Sequence, residues 1–257
     1  MTDRKGARSR AEIPADVLAG LNAGTLETRT LAEGLAVDFA ALLRAAVPEA
    51  DAADAARLDP SVGVTRRMAA AGEIVLSRLG PAGFDRLAGH RSDTVRGWAA
   101  YLLAGVPGMP AAERFARIRP LADDPHFGVR EWAWLALRPH VAADPAGAVA
   151  LLAPWTGEAS ANLRRFAVEI TRPRGVWCAH IGEFRQRPEA GLPLLEPVRS
   201  DPAKYVQDSA ANWLNDAAKT RPDWVRALVG RWRRESRTPQ TERICGRALR
   251  GRAGDER

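Results

Sequence analysis

Apolar and small residues recur along this chain at helical spacing, and over its later part five segments repeat one phrase: 92–104, 124–137, 160–170, 201–214 and, degenerately, 239–249. Each of the first four carries an aliphatic anchor (Val95, Val129, Leu163, Val206) with alanine four residues on (Ala99, Ala133, Ala167, Ala210). That spacing puts both on one helix face, and the small residue lets a neighbouring helix approach. The residue after the anchor is Arg96, Arg130 and Arg164, at intervals of 34; Gln207 follows 43 residues later and Arg243 another 36. Periods in this range mark helical hairpins that stack into a solenoid.

The pattern predicts helices over 13–22, 31–47, 62–79 and 81–88, a block of weaker periodicity. Pairs follow: 92–104 with 110–121, 126–138 with 144–153, 160–171 with 176–185, 190–198 with 203–218, and 222–233 with 239–249. Prolines fall mostly between these stretches, and Ser92, Ser160 and Asp201 are predicted N-caps. The charged, small-residue segments 1–11 and 251–257 read as flexible tails around one repeat domain, 12–250.

Composition fits an all-α class: 2 Tyr, 6 Phe and no β-branched runs in 257 residues. Net charge is +7, and residues 129–257 hold all of the excess, with 22 Lys+Arg against 15 Asp+Glu. A basic half suits a polyanion such as nucleic acid, with an arginine-rich overall composition as the alternative explanation. Cys178 and Cys245 lack metal-ligand spacing and read as reduced thiols; His90, His126, His140 and His180 are scattered over separate helices. The chain shows no Gly-rich phosphate loop, no Ser/His/Asp grouping, no secretory signal at its start and no apolar run of membrane length. The expectation is a soluble cytoplasmic protein with no metal, cofactor or membrane partner.

Three acids stand apart from the anchor face. At about 100° per residue, Glu131 lies roughly 200° from its anchor, Glu169 roughly 240° and Asp216 roughly 280°. Three successive repeats thus place a carboxylate in one sector about 80° wide, shared with Arg165 and Asp208 (about 200°), Asn212 (about 240°), and Arg138 and Arg172 (about 180°). Solvated pairs such as Arg165–Glu169 would account for it. Against that stands the basic setting, since acids in a phosphate-binding face weaken DNA affinity unless they hold something cationic. Trp98, Trp132 and Trp213 fall on the seam side; Trp177, after Arg172-Pro173-Arg174, either packs or stacks on a base or sugar.

The run Ser160-Ala161-Asn162-Leu163-Arg164-Arg165…Glu169…Arg172-Pro173-Arg174…Trp177 resembles the AlkC branch of the HEAT-like alkylpurine DNA glycosylases, relatives of AlkD. So do Leu192-Pro193-Leu194-Leu195-Glu196…Asp201-Pro202…Tyr205-Val206…Ser209…Ala211-Asn212…Leu214-Asn215-Asp216…Lys219…Pro222 and, more weakly, Leu21-Asn22-Ala23-Gly24 and Thr30-Leu31-Ala32-Glu33…Val37-Asp38. The resemblance spans roughly 15–235 and is densest over 160–222. It implies a HEAT-like α-solenoid with a concave groove. It also implies hydrolysis of the N-glycosidic bond of cationic N3-alkylated bases, chiefly 3-methyladenine, in duplex DNA, by a cofactor-free monomer that opens base excision repair.

By motif, Glu169 and Asp216 match the family's catalytic acids, Glu131 matches a third less firmly, and Trp177 matches a groove aromatic. Asn212 and Arg165 are further candidates for the lesion nucleotide. Arg130, Arg164, Arg172 and Arg174 are candidates for the DNA backbone, with Arg130 and Arg164 open to a structural reading. The expected division of labour gives the sugar cation and the attacking water to Asp216, and the cationic nucleotide to Glu169 and Glu131. Gln207-Asp208 departs from the basic pair the family pattern leads one to expect, and the immunoglobulin-like extension of some members is missing. A non-catalytic repeat module binding nucleic acid or protein is the alternative.

Overall fold

In a computed structural model, residues 4–250 are described, and they contain helices and no strands. The chain divides into two compact units, 1–136 and 137–257, with the boundary inside one helix. The first unit holds α1 (Ala15–Asn22), α2 (Leu31–Ala36), α3 (Phe39–Ala46), α4 (Ala52–Ala56), α5 (Val64–Leu79), α6 (Gly83–Ala88), α7 (Asp93–Gly105), α8 (Ala111–Ala122) and the start of α9 (Phe127–Ala143). The second holds the end of α9, then α10 (Pro145–Leu152), α11 (Ala161–Glu169), α12 (Gly182–Gln186), α13 (Leu192–Leu195), α14 (Lys204–Ala218), α15 (Pro222–Glu235) and α16 (Pro239–Ala248).

The anchor phrase is the packing seam. Val95, Val129, Leu163 and Val206 are buried, as are the alanines four residues on. Within the second unit α11 packs on α14 and α14 on α16; within the first, α5 packs on α7. Trp98 and Trp213 lie fully inside, whereas Trp132 is only half-buried beside Tyr101. Gly97 is required where Met68 and Trp132 close in, since a Cβ there would sit 2.6 and 2.7 Å from them.

The periodic arginine turns out to bind architecture. Arg96 donates to the carbonyls of His90 and Arg91, Arg130 to those of Asp124 and Pro125, and Arg164 to those of Glu158 and Ala159. In each repeat the guanidinium therefore ties down the loop that leads into its own helix. Gln207, the substitute, donates its amide to the Asp201 carbonyl at the same offset. Arg96 and Arg164 also reach the next repeat, holding Asp124 and Asp201 with paired hydrogen bonds.

Several elements differ from expectation. The 31–47 stretch breaks at Val37, because Asp38 caps α3 by accepting from the Ala41 amide. α9 runs on through Pro139 to Ala143. Ser160 caps α11, but Ser92 makes no such bond and Asp201 spends its carboxylate on Arg164 ahead of α14. The helix expected over 176–185 is reduced to α12, leaving 172–181 irregular. Of the expected tails, 1–3 and 251–257 lie outside the described residues, and Arg4 and Ala7 are fastened to Glu33 of α2.

Candidate functional site

The C-terminal end of α11, the 172–181 segment and the last turn of α14 bring Glu169, Arg172 and Asp216 together in the second unit. Arg172 is the bridge. Its Nη1 donates to Glu169 Oε1 at 2.7 Å, while Nε and Nη2 donate to Asp216 Oδ2 at 2.9 and 2.8 Å. Ser209 donates to the other Glu169 oxygen at 2.6 Å, and Arg165 lies 3.5 Å from it. Lys219 closes Asp216 Oδ1 at 3.0 Å. Both carboxylates are buried, at 4% exposure, so two of the three acids of that sector sit in an interior ion cluster.

The physical reason is the number of cations that converge there. Burial alone pushes the Glu169 carboxyl up, but the charges of Arg165 and Arg172 with the Ser209 hydroxyl outweigh it and hold the pKa below the ordinary value. Around Arg172, burial is likewise overcome by the two acids, which keep its guanidinium charged. Ser209 and Lys219 enter the sequence analysis only within the run that carries the resemblance and not as site candidates; their signal was a small hydroxyl residue three places after Val206 and a lysine one turn beyond Asp216.

Beyond Arg172 the chain takes an unusual path. Trp177 is half exposed with φ of 62°, the left-handed region that a bulky side chain rarely adopts. The segment carrying it is closed at its base by the Ile181 amide donating to the Pro173 carbonyl at 3.1 Å. Arg138 of α9, itself buried, grips it with three main-chain bonds, to the carbonyls of Ile170, Arg172 and Ala179 at 2.8, 2.6 and 3.2 Å. Removal from water lowers the Arg138 pKa, and the nearby Arg172 charge adds to that. The neighbouring Cys178 thiol is pushed up by burial.

The other candidates are placed as follows. Glu131, on the first-unit part of α9, accepts from Trp134 Nε1 at 2.8 Å. Arg165 is buried with its guanidinium 4.8 Å over the Tyr205 ring. Asn212 accepts from Arg250 at 2.6 Å. Of the expected backbone-binding arginines, Arg172 and Arg164 have every guanidinium nitrogen engaged inside the protein, which corrects that expectation for both. Arg174 lies at the loop, bonded through Nη2 to Thr220. Gln207 and Asp208 receive Arg243, and Arg247 lies 3.1 Å from Asp208, so the acid at this position is paired. No helix is long and apolar enough to cross a membrane, and no metal-ligand cluster occurs among the described residues.

No family model matches the chain. Over 97 residues it is 36% identical to the uncharacterized protein YhaZ of Bacillus subtilis strain 168, a match covering 38% of this chain and 27% of that one. Its fold is shared with the Pseudomonas fluorescens alkylpurine DNA glycosylase AlkC bound to DNA containing an abasic site analog (TM-score 0.66, 24% identity, 82% of this chain and 60% of that one). AlkD2 from Streptococcus mutans (0.61, 19%, 74% and 90%) and smu.31 from Streptococcus mutans UA159 (0.58, 18%, 70% and 90%) share it too. The chain therefore spans about a quarter of the curated relative and 60% of the AlkC chain. These neighbours establish the HEAT-like helical-repeat fold.

Proposed function

We propose that the protein is a DNA glycosylase that hydrolyses the N-glycosidic bond of cationic N3-alkylated bases in duplex DNA, 3-methyladenine chief among them. The observation that carries the reading is the meeting of Glu169 and Asp216, from different helices, on the guanidinium of Arg172, in the irregular segment that also carries the exposed, backbone-strained Trp177. Its support is twofold: the sequence resemblance over 160–222 falls on these same residues, and the fold is that of AlkC and AlkD2.

The chemistry asks little of a general acid, because a base alkylated at N3 already carries positive charge and leaves as a neutral molecule. What it needs is negative charge beside the sugar as C1′ becomes cationic, and a placed water. Asp216 suits this: Oδ2 is fixed by Arg172, and Oδ1 is closed only by Lys219, whose side chain is 48% exposed and free to turn to a phosphate. Glu169 holds Arg172 in place and adds its charge from the interior, so its role is electrostatic and positional. Trp177 would stack on the lesion nucleotide, with Arg174 and Lys219 meeting the backbone. The protein is expected to act as a cytoplasmic monomer, in the first step of base excision repair.

One feature favours a second reading. Because cations close both acids in the free protein, the cluster would serve equally as the interior brace of a non-catalytic module that binds nucleic acid or protein. Incubation with methylated duplex DNA and chromatography of the released bases separates the two. Release of 3-methyladenine supports the enzyme; retention of every alkylated base on DNA that the protein demonstrably binds supports the module.

A further inference from the structure

Five arginines among the described residues are buried: Arg67, Arg96, Arg114, Arg138 and Arg165. Four of them are met by carboxylates or carbonyls. Arg67, on α5, is not. It is 9% exposed, its Nε is buried without a partner, and the structure gives the side chain no hydrogen bond or ion pair. Its recorded contact is the Phe39 ring, 4.7 Å from the guanidinium carbon. Withdrawal from water lowers its pKa, and the charge of Arg10 adds to this while that of Asp38 opposes it. The Nε of Arg67 is shut off from water with no partner, which is costly, and no protein carboxylate or carbonyl meets the guanidinium among the described residues, so an anion from outside would supply the missing acceptor.

The guanidinium borders a cavity of about 590 Å³ within the first unit, a size typical of sites for small molecules, roughly 300–1,000 Å³. Val37, Phe39 and Leu58 give it apolar walls, while Arg10, Asp38 and Asp59 set its remaining charge. The lining holds two cations, Arg10 and Arg67, and two anions, Asp38 and Asp59, so a ligand with a single negative charge on Arg67 suits it better than a dianion, which Asp38 and Asp59 would repel. The planar fork suits two coplanar oxygens. We propose that this cavity binds a small organic monocarboxylate, its two oxygens on Arg67 and its apolar body between Leu58 and Val37. The site is separate from the Glu169–Asp216 cluster and stands whether or not the protein is a glycosylase.

The test is titration calorimetry of the full chain with benzoate, alongside benzyl alcohol, dimethyl phosphate and inorganic phosphate. Benzoate should bind one site per chain at least tenfold more tightly than the other three, a difference of about one charge-assisted contact. Arg67→Met and Arg67→Gln should both lose the benzoate signal, and Arg67→Met should keep its circular dichroism and thermal midpoint because it buries no charge. Absence of benzoate binding to the parent chain overturns the proposal, as does equal binding by the Arg67→Gln chain. Tighter binding of dimethyl phosphate overturns it in favour of a nucleic-acid backbone contact.

Discussion

Arg172 holds Asp216 with two hydrogen bonds to a single carboxylate oxygen, Oδ2, leaving Oδ1 to the more exposed Lys219. The asymmetry divides the aspartate into a fixed edge and an edge open to exchange. On the proposed function, a cationic sugar approaching Oδ1 would replace an ammonium, and the guanidinium behind it would keep the carboxylate aimed. Interior placement also strengthens each of these interactions, because the effective dielectric there is below that of bulk water.

Asp216→Asn preserves shape and removes the charge. Base release from methylated DNA should fall by about 10²–10³-fold, the cost of losing one preorganised electrostatic contact. Affinity for an abasic-site duplex should stay within about threefold, because the rim charges that meet phosphate remain. Glu169→Gln should lose less turnover and more stability, since it leaves Arg165 and Arg172 sharing a neutral partner inside the protein. Equal loss of turnover in the two variants would contradict the unequal roles.

Acid should loosen the second unit through Glu169. Its folded pKa is below the ordinary carboxyl value of 4.5, so the unfolded chain takes up the proton first as pH falls. The stabilisation is complete above the unfolded value and disappears as pH drops through the folded one. Urea midpoints measured from pH 7 down to pH 3 should therefore decline, and Glu169→Gln should flatten the decline over the same window. A parallel slope in the variant would place the acid sensitivity elsewhere, with Glu33, lowered chiefly by Arg4, the next group to test.

Trp177 and Arg138 make a pair of opposite expectations. Trp177→Ala removes a half-exposed ring, so stability should shift by under about 0.5 kcal/mol, while base release falls about tenfold with the stacking contact. Arg138→Met releases the carbonyls of Ile170, Arg172 and Ala179, which then lie without donors. Hydrogen exchange in 172–181 should accelerate severalfold, and Arg138→Lys should restore only part of the protection because an ammonium lacks the fork. Unchanged exchange in the Met variant would show that the loop holds itself.

What the sequence made legible was whatever repeats. Anchors such as Val95 and Leu163 and the alanines after them declare a packing face by spacing alone, and they occupy it. Glu169 and Asp216 were legible as neighbours, because a fixed angular step per residue and a shared repeat bring them to one side of stacked helices. Their burial was not, since it depends on Arg172 lying outside the helix, in a segment whose path is set by Arg138 from another element. Pattern predicted a helix over 176–185, but Pro173 and the main-chain bonds to Arg138 hold its first part irregular. Long-range side-chain to main-chain bonds leave no periodic trace. The arginine at 34-residue intervals was a conspicuous signal that left phosphate contact and a structural role both open, and it serves the loops.

That last point has its own test at Arg164 and Asp201. Their paired bonds, at 2.6 and 3.0 Å, join successive repeats inside the second unit, with both side chains largely shielded from water. Arg164→Met should lower stability by about 3 kcal/mol, in part because it leaves the Asp201 carboxylate without its main partner. Asp201→Asn should cost less, since an amide still accepts one bond from Arg164, and a double-mutant cycle should give a coupling of about 1–3 kcal/mol. The decisive measurement is DNA affinity against salt. An arginine that meets phosphate contributes about one unit to the slope of log K on log salt, and its loss flattens the line accordingly. Arg164→Met should leave the slope unchanged, whereas Arg174→Met, at the exposed loop, should reduce it. A slope that falls on removal of Arg164 would return that residue to the DNA-binding face.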